Sequence, residues 1–313
     1  MKTGIAALAI TVGVLTGVQA QDEVLEKLTF SGYLDVSAVF EDTKGGDSTE
    51  TFTVDTLELR VNYDFMDGLK GEAHVSGGSD EDFDLEQAHF VYSLSDEVSV
   101  IGGKYLSALG WEAFHAPDLY QFSTSATLVY PGMMNGVGAT YKNDSFSLYG
   151  AALAGVWNST DTDLEERGFE AQFKTSPIEG LTIQLGYAQE GYGSTTNGVA
   201  GYDQALVNLW ASYSVNGLTL AAEWNEVSDW KANGTDGDGY LLMANYKITE
   251  KLGITVRRSA LDVDGVTDLT KHTIAPSYAV TDNWTLIAEL NTVEDDVVDS
   301  EVDTFALESI IVF

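Results

Sequence analysis

Apolar and polar residues alternate strictly along most of this chain, and few folds accommodate such a pattern. The stretch FSGYLDVSAVF sets Phe30, Gly32, Leu34, Val36, Ala38 and Phe40 on one face, against Ser31, Tyr33, Asp35 and Ser37 on the other. LTIQLGYAQE sets Leu181, Ile183, Leu185 and Tyr187 against Thr182, Gln184 and Gly186, and LTLAAEWNE repeats the arrangement from Leu218. Successive side chains on a strand point to opposite faces, so a period of two means strands with one apolar and one polar side. Proline is rare, with 4 in the chain, and long helical periodicity is not evident after the N-terminus. Each apolar face then needs either a second sheet or lipid to cover it.

The connections decide between these. Short turns fall at 64–68, 95–97, 142–144, 176–180, 215–217, 249–251 and 281–283, and between them run longer polar segments at 41–51, 77–83, 105–124, 157–166, 190–202, 227–238, 261–269 and 294–302. Seven turns and eight loops join sixteen strands with both termini on the short-turn side, as an outer-membrane barrel requires. The last aromatic of each even-numbered strand shares parity with its apolar face: Tyr63, Tyr92, Tyr141, Phe173, Tyr213, Tyr246, Tyr278 and the final residue, Phe313. Aromatics at one level, facing outward, form a girdle at a membrane–water interface. The expected fold is all-β: a transmembrane antiparallel barrel of about 16 strands, with short periplasmic turns and longer extracellular loops, that closes where the chain stops. A secreted β-sandwich would place its large aromatics at strand centres, and would not put all its longer connections on one side. The chain has no cysteine, and a closed barrel needs none, because every backbone group is paired across a strand.

Met1-Lys2, an apolar run from Ile5 to Val18 and the small-residue step Val18-Gln19-Ala20 read as a secretory signal peptide over 1–20, which leaves 21–313 as the barrel. Export of a barrel places it in the outer membrane of a Gram-negative bacterium, with lipid and lipopolysaccharide around it. The C-terminal aromatic strand also resembles the signal read by barrel-assembly machinery. With 49 acidic and 15 basic residues the net charge is −34, which argues against nucleic acid as a partner and favours cations.

Tyr92 and Tyr141 stand 49 residues apart, whereas the other girdle steps run from 29 to 40. The excess lies in the third loop, about 105–134, which carries Tyr105, Trp111, Phe114, Tyr120, Phe122 and Tyr130. Apolar loop residues need burial, and a barrel of this size has an interior to supply it. Residues 120–134 fit either an extension of the sixth strand or this inward loop. In order, the segment shows Gly110-Trp111-Glu112, Ala116-Pro117-Asp118, Ser123-Thr124-Ser125 and Gly136-Val137, with Trp157-Asn158 after the next strand. In these motifs it resembles the bacterial porin group called putative β-barrel porin-2, where an arginine often stands at the position of Thr124. The resemblance implies a passive channel with the third loop as its constriction, to which Trp111, Glu112, Phe114, His115, Asp118 and Tyr120 would contribute.

Inward parity holds Asp35, Glu58, Arg60, Glu72, His74, Glu170, Lys174, Glu223, Lys247, Arg257, Glu289 and Glu308 as candidate pore-lining groups. Acids outnumber bases among them, and carboxylates lining a pore favour cations, so weak cation selectivity is expected for ions and small hydrophilic solutes. Inward Tyr33, Tyr149 and Trp210 raise a sugar-selective channel as an alternative. A plugged barrel serving as an adhesin or structural protein is another. An outer-membrane hydrolase would have to use His115, Asp118, Ser123 or Ser125, and no nucleophile turn surrounds either serine. No catalytic residue and no metal ligand is assigned, since no histidine pair has zinc-ligand spacing. Acidic loop runs such as Asp80-Glu81-Asp82, 161–166 and Glu294-Asp295-Asp296 are candidate calcium or magnesium contacts, and solvated loops are the competing reading. Small outward residues Gly150, Ala152 and Ala154 leave a homotrimer contact open.

Overall fold

The structure, a computed structural model, describes residues 25–79, 82–127, 129–157, 167–192 and 201–313; the expected signal peptide over 1–20, Asp80-Glu81, Asn158 and the acidic run 161–166 lie outside these. Sixteen strands follow one another: β1 Leu28–Thr43, β2 Ser48–Met66, β3 Leu69–Gly77, β4 Asp84–Ser93, β5 Val98–Leu106, β6 Met133–Lys142, β7 Phe146–Gly155, β8 Gly168–Ile178, β9 Leu181–Tyr192, β10 Tyr202–Val215, β11 Leu218–Ser228, β12 Gly237–Lys247, β13 Leu252–Val263, β14 Thr267–Thr281, β15 Trp284–Asp295 and β16 Ser300–Val312. Each pairs antiparallel with the next, and β1 pairs with β16, so the sheet closes on itself.

Three of the short turns owe their shape to residues that tolerate positive φ, at Gly68, Gly180 and Asn216-Gly217. Asn216 and Gly217, at φ 48° and 80°, make a turn in which both central residues are left-handed, the form that matches the twist of a two-residue hairpin. At the opposite end several strands run further than the loop pattern suggests. β1 and β2 stay paired up to Asp42 and Ser48, so the first loop shrinks from 41–51 to 44–47, and the seventh from 261–269 to 264–266. Ladder hydrogen bonds do not depend on an apolar face, and the hairpins therefore continue with polar side chains above the membrane. Residues 107–132 form the third loop, and β6 starts only at Met133.

The side-chain distribution is that of a soluble protein turned inside out. Leu59, Phe90, Val137, Leu185, Leu242, Ile274, Leu290 and Leu307 are exposed on the outer face, while Gln184, Asn208, Asn225 and Glu289 are buried inside. An apolar exterior of this extent belongs in hydrocarbon, and the interior polar groups exclude a sandwich core. All eight girdle aromatics share parity with the exposed outer residues of their strands. Phe146 joins Tyr141 and Phe173, with ring centroids 5.9 Å from each, and Phe65 joins Tyr63 at 4.9 Å.

Closure reaches the last residue. Phe313 N–H donates to the Gly32 carbonyl at 3.0 Å, and Gly32 N–H donates to the Phe313 carbonyl at 2.9 Å. A Cβ at Gly32 would stand 2.1 Å from the Glu58 carbonyl oxygen and 3.0 Å from the Phe313 ring. We expect Gly32→Val to destabilise the folded barrel by about 1–3 kcal/mol, the usual cost of overpacking. Urea unfolding in lipid vesicles measures this, and a midpoint equal to that of the parent protein would contradict the closure geometry.

Candidate functional site

The third loop leaves β5 and folds into the barrel, because its backbone amides find acceptors there. Ser107 Oγ and Ala108 N–H donate to Glu170 on β8 at 2.5 and 2.8 Å. The Ala108 carbonyl accepts from Gln184 on β9 at 3.1 Å and from Gln172 on β8. Gly110 N–H reaches Asn208 on β10 at 3.3 Å, and Trp111 N–H reaches Glu223 on β11 at 3.1 Å. Gly110 turns here with φ 87°, against the Tyr130 ring, where a Cβ would sit 2.6 Å away. The loop then crosses the lumen. His115 Nδ1 comes 3.1 Å from Glu58 on β2, and a single 3-10 turn, Ala116–Asp118, rests Ala116 on Ala275, Ile287 and Ile310. On the return the Tyr120 carbonyl accepts from Thr255 at 2.9 Å, Ala126 N–H donates to Ser259 at 2.9 Å, and Thr127 accepts from Asn225 at 3.0 Å. Trp157 closes the path, donating to the Val129 carbonyl at 2.9 Å.

The densest part of this network surrounds Glu112 and Arg257, which are ion-paired and buried. Arg257, on β13, also donates to the carbonyls of Ser123 and Thr124 at 2.8 and 3.0 Å, to Ser123 Oγ at 3.1 Å and to Thr273 at 3.1 Å. Glu112 accepts in addition from Ser125 N–H at 2.7 Å and Gln121 at 2.8 Å. Arg257 thereby brings a positive charge from the barrel wall to the Ser123–Thr124 backbone. Glu289 completes the group, accepting from Ser123 N–H at 3.1 Å, Ser123 Oγ and Asn291. Burial also pushes the Tyr130 hydroxyl pKa well above its ordinary value, so the phenol stays neutral beside these charges.

Many groups expected to line open water do face inward but are covered. Asp35, Glu58, Glu170, Glu223, Arg257, Glu289 and Glu308 are all buried. For Glu170, Glu223 and Glu289 the physical reason is that each carboxylate takes up loop N–H groups that would otherwise lack acceptors. His74 is also buried. Arg60 and Glu72 retain partial exposure, Lys174 lies 5.6 Å from the Trp210 ring centroid, and Lys247 is exposed at the turn end beside Glu250, 3.3 Å away. On the loop, Glu112 and His115 are buried, Trp111 is half-buried and stacked on Tyr120 at 6.0 Å, and Phe114, Asp118 and Tyr120 are exposed. The inward aromatics do not form an open track: Tyr33 and Trp210 are buried, and Tyr149 bonds Tyr105 at 3.4 Å. Ser123 Oγ is held by Glu289 and Arg257, not by a histidine. Sequence spacing did not reveal that Glu58, His74 and His115 converge, because they come from β2, β3 and the third loop.

A closed barrel with an apolar exterior, a polar interior and one loop drawn across its lumen defines the class of outer-membrane channels. The chain belongs to the family described as Putative beta-barrel porin-2, OmpL-like, whose model matches residues 47–310. It is a protein of the Gram-negative outer membrane. Comparison with curated protein sequences finds no match. Among solved structures the fold is similar to the outer membrane channel DcaP of Acinetobacter baumannii, at 16% identity and TM-score 0.72 over 91% of this chain and 97% of that one. It is similar also to an anion-selective porin from Comamonas acidovorans, at 14% and 0.71 over 91% and 99%. The trimer form of OmpT from Vibrio cholerae is a third, at 15% and 0.64 over 92% and 100%.

Removing one partner of a buried ion pair leaves the other charge uncompensated, at a cost of about 3–5 kcal/mol. Arg257→Met is therefore expected to free the third loop, which limited proteolysis of the folded barrel reads as new cleavage within 107–132. Adding Glu112→Gln should restore part of the protection.

Proposed function

We propose that this barrel is a passive diffusion channel for ions and small hydrophilic solutes, constricted by its third loop and weakly cation-selective, and that it is not an enzyme. The observation that carries the reading is the charge the loop presents. Glu112 is neutralised by Arg257 and buried, so Asp118 is the exposed charge on the loop among the described residues, flanked by exposed Phe114 and Tyr120. A carboxylate at a narrow point in a low-dielectric wall attracts cations and repels anions. The chain's surplus of acidic residues acts in the same direction. A similar fold occurs in the anion-selective porin from Comamonas acidovorans, so selectivity must come from individual side chains and not from the barrel.

The same reading places lipid and lipopolysaccharide against the outer face and gives the strand ending at Phe313 to the assembly machinery. The acidic outer loops stay solvated, with calcium or magnesium bridging as the competing reading. A homotrimer contact fits the outer face of β7, where Gly150 has open space around it and Ala152 is exposed. Ala154 falls in a bulge next to that face.

The test is the reversal potential of the refolded protein in a planar bilayer under a salt gradient. Stable steps with a cation-favouring potential are expected, and Asp118→Asn should move that potential toward zero without abolishing conductance. Anion preference in the parent protein would refute the selectivity, and a folded barrel that conducts nothing would refute the channel.

A further inference from the structure

Three of the chain's four histidines, His74, His89 and His115, gather at one place on the inner wall, with Glu58, Glu72 and Glu86. Two local features bring them there. A bulge in the β3–β4 pairing between His74 and Val75 sets Glu86 beside Gln87 on the inner side, while Leu85 is exposed outside. The crossing of the third loop then lowers His115 onto the β2 wall. His115 Nδ1 lies 3.1 Å from Glu58 Oε2 and 4.0 Å from Glu86 Oε1, and His74 Nδ1 lies 3.8 Å from Glu58 Oε1.

We propose that Glu58, His74 and His115 bind a divalent transition-metal ion of the zinc class, with Glu86 as a further donor, so that the ion fastens the far point of the constriction loop to β2. The donor atoms of the three residues all lie within 4.8 Å of one another. Ligands about 2.0–2.1 Å from a tetrahedral ion stand roughly 3.3 Å apart, so modest side-chain rotation brings the set to bonding distance. His74 is already oriented for this role. Its Nε2–H donates to Glu72 at 2.5 Å, which leaves the Nδ1 lone pair pointing into the cluster, the outer carboxylate support that metal-binding histidines usually have. That lone pair now accepts from the Gln87 amide at 3.0 Å, a group free to turn aside.

A second, independent feature points to a ligand. His115 Nδ1 and Glu58 Oε2 are buried, and neither makes a well-directed hydrogen bond despite their proximity. Their one close contact is the 3.1 Å approach to each other, and two buried donor atoms facing one point are what a cation would satisfy. Three carboxylates and one guanidinium, Arg60 on Glu58 Oε1, share the pocket, so a divalent charge balances it. Mixed imidazole and carboxylate donors suit zinc, nickel or cobalt better than calcium or magnesium, which prefer oxygen alone.

The test uses the full barrel folded in detergent, titrated with cobalt(II) chloride alone. One equivalent should produce the visible absorption of nitrogen- and oxygen-ligated cobalt, and zinc should displace it. In His115→Ala, whose change lies in the loop and not in the barrel, affinity should fall by about tenfold or more while circular dichroism stays that of the parent. Equal binding by parent and variant would overturn the proposal and assign the metal to the acidic outer loops. Should the variant not fold, X-ray absorption of the zinc-loaded parent decides: imidazole scattering supports the site, and an all-oxygen shell refutes it. Because binding is read without conductance, its failure leaves the channel reading standing, and the converse holds.

Discussion

In hydrocarbon a backbone N–H or C=O has no water to bond, and every other feature of this molecule follows from that restriction. A sheet satisfies it only by having no edge in the lipid, which is why β1 must meet β16 and why pairing continues to Gly32 and Phe313. Once the sheet is closed, side-chain alternation has a single arrangement left, with apolar residues outward and polar residues inward. A protein without a cysteine thereby gains a frame held by cross-strand hydrogen bonds alone.

The same rule governs the loop inside. A peptide drawn into the lumen brings amides that need acceptors, and the wall answers with Glu170, Glu223 and Glu289. Burying a carboxylate is costly unless several donors surround it, and these loop amides and neighbouring side chains are those donors. Wall and loop thus solve each other's problem. The interior carboxylates act mainly as fastenings, and a smaller set of groups, with Asp118 on the loop, stays exposed.

The barrel was legible in the sequence because its signals are local. Alternation, Asn216-Gly217 and the aromatics before each turn all act within one hairpin. The inward loop was legible from its excess length and its aromatic content. The state of each inward charge was not legible, since parity says which way Glu223 points but not that Trp111 will cover it from more than a hundred residues away. The histidine cluster was hidden for the same reason. Spacing rules find ligands on one helix or one loop, and His74 and His115 meet only because the chain crosses the barrel between them. The first, seventh and eighth outer loops are shorter than expected, since polar composition marks where the membrane ends and not where pairing ends.

The anchors of the third loop on β8, β10, β11, β13 and β15 have a mechanical meaning as well. An unbraced cylinder of sheet can flatten at little cost, because its strands hinge about one another. A segment fixed at several points around the circumference acts as internal cross-bracing: flattening along one diameter would pull loop amides off their carboxylates. The segment drawn across the lumen therefore also keeps the barrel round, and lateral pressure from the bilayer would be carried in part by hydrogen bonds that never touch lipid.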